Sequence, residues 1–305
     1  MHTAITIDAL KVLDAIDRKG SFAGAASELF RVPSAISYTV QKLEEDLNVA
    51  IFDRTGHRAA LTPAGRYLLE EGRSLLEAAE TLAHTTQQVA KGWETRLRIG
   101  FNSLLPAECL FDAVRDFYDL GVPVEVQLVE EVFAGSWDAL QSRRIDMIVG
   151  ADQMSKPAGA FTTSPLGKMS FVYAVAPGHS LTSARQPLTE ADIAAFPAAV
   201  AADTSRSLPP GNAGIFRRQR TLTVANIEQK IAVQKAGLAV GWLPEPRVRS
   251  LLESGDLIGL EVHEPRQPIM LHLARHSEDQ GKALMWFWER LTSSPAISDW
   301  LDSAH

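Results

Sequence analysis

Five side chains on one helical face, Ser34, Ser37, Tyr38, Gln41 and Lys42, have the types and spacing best suited to a chemical task. Each carries a hydroxyl, amide or ammonium group, so together they suit hydrogen bonding to base edges and phosphates rather than bond making. Gln41 can bond adenine in bidentate fashion, and Lys42 can reach a phosphate or guanine. Arg54 and Arg58 flank Thr55-Gly56-His57, a run suited to a short hairpin or wing whose arginines touch backbone phosphates. For Arg54, an ion pair within its own domain competes with that role. The sequence contains no Gly-x-Ser-x-Gly elbow, phosphate-binding Gly-Lys-Ser loop, Gly-x-Gly-x-x-Gly fingerprint or His-Glu-x-x-His pair. His272 and His276 are four apart, but a strand over Ile269 to Ala274 would not bring them to one helical face, so no metal or cofactor is expected. Cys109, the single cysteine, reads as a small buried residue rather than a nucleophile.

The five polar residues need a rigid support. Thr6 is placed to cap a helix in which Ile7, Leu10, Leu13 and Ile16 share a face, and Lys19-Gly20 ends it. Ser21 caps a second helix, Phe22 to Leu29, whose Ala25 and Ala26 let another helix cross closely. After a turn at Phe30, Arg31 and Val32, Pro33 supplies the φ favoured at a first helical position, and a third helix runs to about Asp46. Its apolar positions Ile36, Val40, Leu43 and Leu47 step by four, three and four, which buries one face and leaves the five polar residues outward. Two helices joined by a short turn, the second displaying polar groups, form a helix-turn-helix whose second helix fits a major groove.

Thr62 and Pro63 then open a much longer helix, to Ala90. Leu68, Leu75, Leu82 and Val89 recur every seven residues, with Gly72 and Ala79 between them. A lone helix would leave these leucines in water, so the spacing predicts pairing with the same helix of a second chain. Packing against the chain's own C-terminal part is the competing arrangement. From about Trp93, strands at Leu97 to Gly100, Val122 to Val132 and Ile145 to Gly150 alternate with helices such as Ala107 to Tyr118. Met169 to Ala176, Ala198 to Ala202, Leu238 to Trp242 and Ile269 to Ala274 repeat the strand signal, and a last helix spans Ser277 to Thr292. Such alternation predicts parallel sheets with covering helices.

At 305 residues the chain has room for two or three domains, each with its own core. Met169 to Ala184, the longest stretch without a formal charge, holds Pro177 and Gly178 and cannot form a spanning helix. Asp8, Lys11, Asp14 and Asp17 break any apolar run near the start, so neither a membrane segment nor a signal peptide is expected. A cytoplasmic location is expected, and a single cysteine agrees with a reducing compartment. The net charge of -7 excludes a protein that coats nucleic acid by bulk charge. Residues before Gly92 include 10 basic and 12 acidic, so any DNA binding must rest on a few placed cations.

The run Gly20-Ser21-Phe22, Ala25-Ala26, Leu29, Ser34-Ala35-Ile36-Ser37, Leu43-Glu44-Glu45, Phe52-Asp53-Arg54 and Leu61-Thr62-Pro63-Ala64-Gly65 resembles, in order and spacing, the winged helix-turn-helix of LysR-type transcriptional regulators. Ile145 to Val149, Pro177 to Leu181 and Ala236 to Gly241 extend the resemblance more loosely along the chain. Two departures stand out: Val32-Pro33 occupies the place of a common Ser-Gln, and Tyr38 that of a common Arg. The operator is therefore this chain's own. The resemblance implies an α+β multidomain architecture: a winged helix-turn-helix over 1–62, a linker and dimerisation helix over 63–92, and an effector-binding domain over 93–305. That last part would be of the α/β periplasmic-binding-protein type, with subdomain I at 93–166 and 268–305, subdomain II at 167–267, and crossing strands near Leu166 and Pro268. It also implies antiparallel linker helices in a homodimer, pairing of dimers into tetramers, promoter DNA as target, and RNA polymerase as a partner if the regulator activates.

Ligands of open α/β folds bind beyond the carboxyl ends of strands. That rule selects Asn102, Ser103, Val132, Phe133, Ala151 and Asp152 from one subdomain, and Asp203, Thr204, Asn226 and Ile227 from the other. Ser103 and Asn226 are donors, and helix N-termini favour anions, which suits a small carboxylate. Asp152, Asp203 and Glu130-Glu131 pull towards a neutral or cationic effector. The function expected is a sequence-specific, effector-modulated transcriptional regulator, not an enzyme. The alternative is a small-molecule binding protein or enzyme on the same fold, its N-terminal helices serving dimerisation.

Overall fold

In a computed structural model, which describes residues 5–53, 60–153, 155–209, 211, 214–216, 219–293 and 295–302, the chain divides into two units, Met1–Ala90 and Lys91–His305. Local capping sets the boundaries of the first. The Thr6 hydroxyl accepts from Ala9 N–H to start α1 (Ile7–Lys19), and Gly20 ends it at φ 67°. Ser21 caps α2 (Phe22–Glu28) in the same way through Gly24 N–H. The helix α3 (Pro33–Leu47) begins at Pro33 without a side-chain cap and ends at Asn48, φ 51°. Strands β1 (Phe52–Asp53) and β2 (Ala60–Leu61) pair antiparallel before α4 (Pro63–Ala90).

The core of this unit joins Val12, Leu13 and Ile16 of α1, Ala25 and Ala26 of α2, Ile36, Val40 and Leu43 of α3, and Leu69 of α4. Two glycines let α4 approach. A Cβ on Gly65 would lie 2.2 Å from the Ile51 carbonyl oxygen, so the first turn of α4 rests directly on that backbone. Gly72 is buried against Leu10 of α1, so it serves packing within the unit and not, as its place between the leucines suggests, approach of a second helix. Arg73 of α4 adds hydrogen bonds to Asp14 and Asp17.

The second unit begins with β3 (Arg96–Asn102), followed by a single 3-10 turn, α5 (Phe111–Tyr118), β4 (Glu125–Glu131), α6 (Gly135–Gln141), β5 (Met147–Asp152) and β6 (Phe161–Met169). Next come β7 (Phe171–Val175), α7 (Glu190–Ala194), β8 (Ala198–Ala201), β9 (Thr221–Val224), α8 (Ile227–Lys235), β10 (Gly241–Pro244), α9 (Glu245–Glu253) and β11 (Ile258–Leu260). The chain closes with β12 (Ile269–His276), α10 (Lys282–Ser293) and α11 (Ala296–Asp302). One sheet has the order β4-β3-β5-β12-β6, with β4, β3 and β5 parallel and β12 antiparallel to both neighbours. The other subdomain holds β10-β7-β11, all antiparallel, and a parallel β8-β9 pair tied on by a bridge from Ala198 to Val240.

The expectation of parallel sheets throughout is therefore corrected. The strand β7 enters straight from β6 without a crossover helix, and both of its neighbours run against it. The pairing of β6 with β12 continues to Met169 and Ile269, so the chain leaves the first sheet at Ser170, beyond Leu166. Phe117 packs with Trp93, Trp286 and Phe287, ring centroids 4.8–6.1 Å apart, which makes the aromatic stripe of α10 part of the core. Among the described residues, no helix is long and apolar enough to cross a membrane.

Candidate functional site

With Ile36, Val40 and Leu43 locked in the core, α3 turns Ser34, Ser37, Tyr38, Gln41 and Lys42 to solvent. Gln41 Nε2 donates to Glu45 Oε1 at 2.8 Å, one turn on, and Lys42 has no ion pair with a described residue. Glu44, on the inner side, accepts from the backbone N–H groups of Ile51 and Phe52 and so ties α3 to the base of the β1-β2 hairpin. Arg54 and Arg58 lie outside the described residues.

Two apolar residues beside this face, Phe30 and Val32, were not among the contacts expected from the sequence, and they lie next to the expected Tyr38. Phe30, at φ 53°, is 97% exposed, and Val32 and Tyr38 are 62% and 67% exposed. The signal was present in the turn itself: Phe30 sits where the chain takes a left-handed conformation, which points its ring away from the core. Arg31 in the same turn is not free, because both its terminal nitrogens bond Asp8 and hold that carboxyl below its ordinary range.

Along α4, Leu75, Leu82 and Val89 are 52%, 69% and 49% exposed, whereas Leu68 is half-buried against its own unit. The spacing thus describes a stripe that begins on the core and continues into solvent.

In the second unit a cavity of about 370 Å³ is lined by Asn102, Ser103, Leu104, Val132, Phe133, Asp152 and Ile227. Ser155, Gly211, Arg266, Gln267, Pro268 and Ile269 complete the wall. Six of the ten residues selected by the strand-end rule are brought together here. Ala151 is not among them: it is fully buried next to Trp137, because β5 runs on through Asp152 and alternation turns Ala151 inward.

Asp203, Thr204 and Asn226 bind protein instead of lining the cavity. Asp203 accepts from the N–H groups of Ala134, Gly135, Ser205 and Gly211. The Thr204 hydroxyl meets Glu131 and the Val132 N–H, and Asn226 Nδ2 donates to Glu130 at 2.9 Å. These contacts join the two subdomains. Arg144 bridges Glu131 and Asp138. Burial works to raise the Asp138 carboxyl, but the N–H groups of Arg206, Ser207 and Leu208, together with Arg144, outweigh it and hold the group below its ordinary value.

One cation, Arg266, stands in the remaining wall, and a second, Lys230, is buried in α8 outside the lining. The guanidinium carbon of Arg266 lies 3.6 Å from the centre of the Phe171 ring, and burial lowers the group to about 10. Lys230, one turn along α8 from Ile227, is 5% exposed, and burial with the nearby Arg266 charge lowers it to about 7. The strand-end rule passes over both, since Arg266 precedes its strand and Lys230 lies within a helix.

The Cys109 thiol is pushed up to about 11 by burial, which leaves it unreactive. His276 lies on β12 with Nε2 2.8 Å from the Leu140 carbonyl, and no metal-holding group of His, Cys, Asp or Glu occurs among the described residues.

Two family models match the chain: the bacterial regulatory helix-turn-helix protein of the lysR family over residues 7–66, and the LysR substrate binding domain over residues 90–296. The probable HTH-type transcriptional regulator YhaJ of Escherichia coli K12 is 38% identical over 283 residues, 93% of this chain and 94% of its own length. The HTH-type transcriptional regulator PunR of the same strain is 34% identical over 293 residues, 96% of this chain and 94% of its own. Among solved structures, a mutant of Corynebacterium glutamicum OxyR superposes with a TM-score of 0.61 at 18% identity, covering 97% of this chain and 94% of that one, a likeness of fold.

Proposed function

We propose the following division of labour for this chain, which belongs to the LysR family of transcriptional regulators. The first unit binds promoter DNA by laying α3 in the major groove. Ser34, Ser37 and Gln41 bond base edges, Lys42 takes a phosphate or guanine, and Arg54 and Arg58 hold backbone phosphates. Phe30, Val32 and Tyr38 add apolar surface suited to thymine methyl groups. The observation that carries this reading is the division of α3 into an apolar side fixed in the core and a polar side that, among the described residues, has no tertiary partner.

Two copies pair through the exposed stripe Leu75, Leu82 and Val89, with Leu68 at its inner end, and dimers pair again into tetramers. Two-fold symmetry then presents two recognition helices to a dyad in the operator. The protein works in the cytoplasm, with RNA polymerase as partner where it activates. A small carboxylate in the cavity of the second unit changes how the subdomains sit and, through the dimer, the spacing of the recognition helices. Such a ligand must favour one arrangement over the other, or it shifts nothing.

Selection of genomic fragments by the purified protein at about 0.15 M salt tests the reading. Enrichment of a dyad-symmetric site beside a promoter supports it, and loss of that enrichment in S37A/Q41A places recognition on α3. Uniform recovery of fragments, with and without cell extract, refutes it.

A further inference from the structure

Two positions at the entrance to α3 break rules that the rest of the first unit obeys. Phe30 takes a left-handed φ of 53° with its side chain 97% exposed. Of the other described non-glycine residues with positive φ, Asn48 closes α3, Phe133 packs on a core, and Arg143 is held by Glu278 and Asp279. Phe30 has no such return. Glycine or asparagine would take this turn at lower cost, and the ring gains nothing from burial. Val32 stands at the N-cap of α3, the place from which Thr6 and Ser21 accept an N–H in α1 and α2. Valine offers no acceptor there, and it is 62% exposed. Between the two, Arg31 bonds Asp8 of α1 through both terminal nitrogens, which pins the turn and occupies its cation.

Side chains that cost folding stability and still stand in water point to a partner. Val32 leads directly into the outward face of α3, where Ser34, Ser37 and Tyr38 follow, so the occupant is the duplex that this face meets. The thymine C5-methyl is the apolar group that a major groove offers. We propose that Phe30 and Val32 determine sequence specificity by packing on C5-methyl groups of thymines beside the bases met by α3, with Arg31 and Asp8 as the positioning pair that holds them there. The assignment rests on reading α3 as the recognition helix. Closing the two side chains on methyl groups returns the apolar burial that the free protein forgoes. Arg31, in this arrangement, holds the turn and takes no phosphate.

The test uses the full-length protein and a duplex pool that it enriches from random sequence at about 0.15 M salt, copied afterwards with either dTTP or dUTP. The uracil copy keeps every base pair and lacks only the methyl groups. The parent binds the uracil copy about tenfold more weakly, the effect of two methyl groups. F30N/V32S binds the thymine copy about tenfold more weakly than the parent does and no longer distinguishes the copies. Asparagine suits the left-handed turn and serine supplies the missing cap, so this variant melts no lower than the parent, and its lost affinity is not unfolding. D8A and R31A each lower the preference for thymine severalfold and leave the slope of log affinity against log salt unchanged.

Equal binding of the two copies by the parent overturns the assignment. So does a thymine preference kept in folded F30N/V32S, which puts methyl reading elsewhere. A preference kept in D8A and R31A, or a salt slope lowered by about 1 in R31A, refutes the positioning pair, the latter by making Arg31 a phosphate contact. S37A/Q41A separates the two levels of inference. If it loses the enriched site while F30N/V32S behaves like the parent, α3 remains the reader and only the methyl assignment falls. If it enriches the same site as the parent, or if the parent enriches none, both fall.

Discussion

The recognition helix and the cavity present their chemistry in opposite ways. On α3 the polar groups stand in solvent on one continuous stretch of chain, backed by Ile36, Val40 and Leu43. In the second unit the groups come from segments as far apart as Asn102 and Ile269, and the Ser103 hydroxyl among them is shielded from water and has no partner among the described residues. A surface built for DNA can leave donors free at no cost, because water satisfies them until the duplex arrives. A cavity cannot, so each unsatisfied group there reports on the ligand it awaits.

That contrast can be broken most severely at Gly65. Any side chain there must displace the Ile51 backbone, so Gly65→Val is expected to destabilise the first unit by at least about 3 kcal/mol and abolish DNA binding. The second unit has its own cores and should keep its melting transition and its ligand. Persistent DNA binding by this variant would show that α4 need not rest on Ile51.

Next in size is the electrostatic side. Burial, and after it the Arg266 charge, lowers Lys230 from 10.5 to about 7. Between those values the unfolded chain holds more protons, so stability rises with pH from about 7 to about 10.5 and falls on acidification. K230M should remove that slope and gain stability on the order of 3 kcal/mol at neutral pH, read from denaturant melts across the window. An unchanged slope would mean that Lys230 is already compensated.

A smaller effect is expected from Gln41→Ala, about 1–3 kcal/mol of specific binding with little change in stability. Smallest is Lys42→Ala, which should lower the slope of log affinity against log salt by about 1 and weaken all sequences alike. If Lys42→Ala instead changes sequence preference, it reads a base and not the backbone.

How far each region was legible follows from the same contrast. Thr6, Gly20, Ser21, Pro33 and Thr62 act within a few residues of themselves, so the helices of the first unit could be placed from spacing. Burial of Gly72 against Leu10 could not, since it depends on which helix crosses which. In the second unit Asn102, Ser103, Val132, Phe133, Asp152 and Ile227 follow from one rule about strand ends and helix starts. Arg266 does not, because it precedes its strand and only the register of β12 against β6 brings it to the cavity. Ala151 failed for a local reason, a strand that runs two residues past the expected end at Gly150.

The carboxylate of Asp203 belongs to one subdomain and receives the N–H groups of Ala134 and Gly135, at the start of α6 in the other. Any movement that parts the subdomains must strip the first turn of that helix of its acceptor and leave the Asp203 carboxylate with only the Ser205 and Gly211 N–H groups of its own side. Parting the subdomains therefore costs hydrogen bonds on both sides, and whatever favours the parted arrangement must supply that difference.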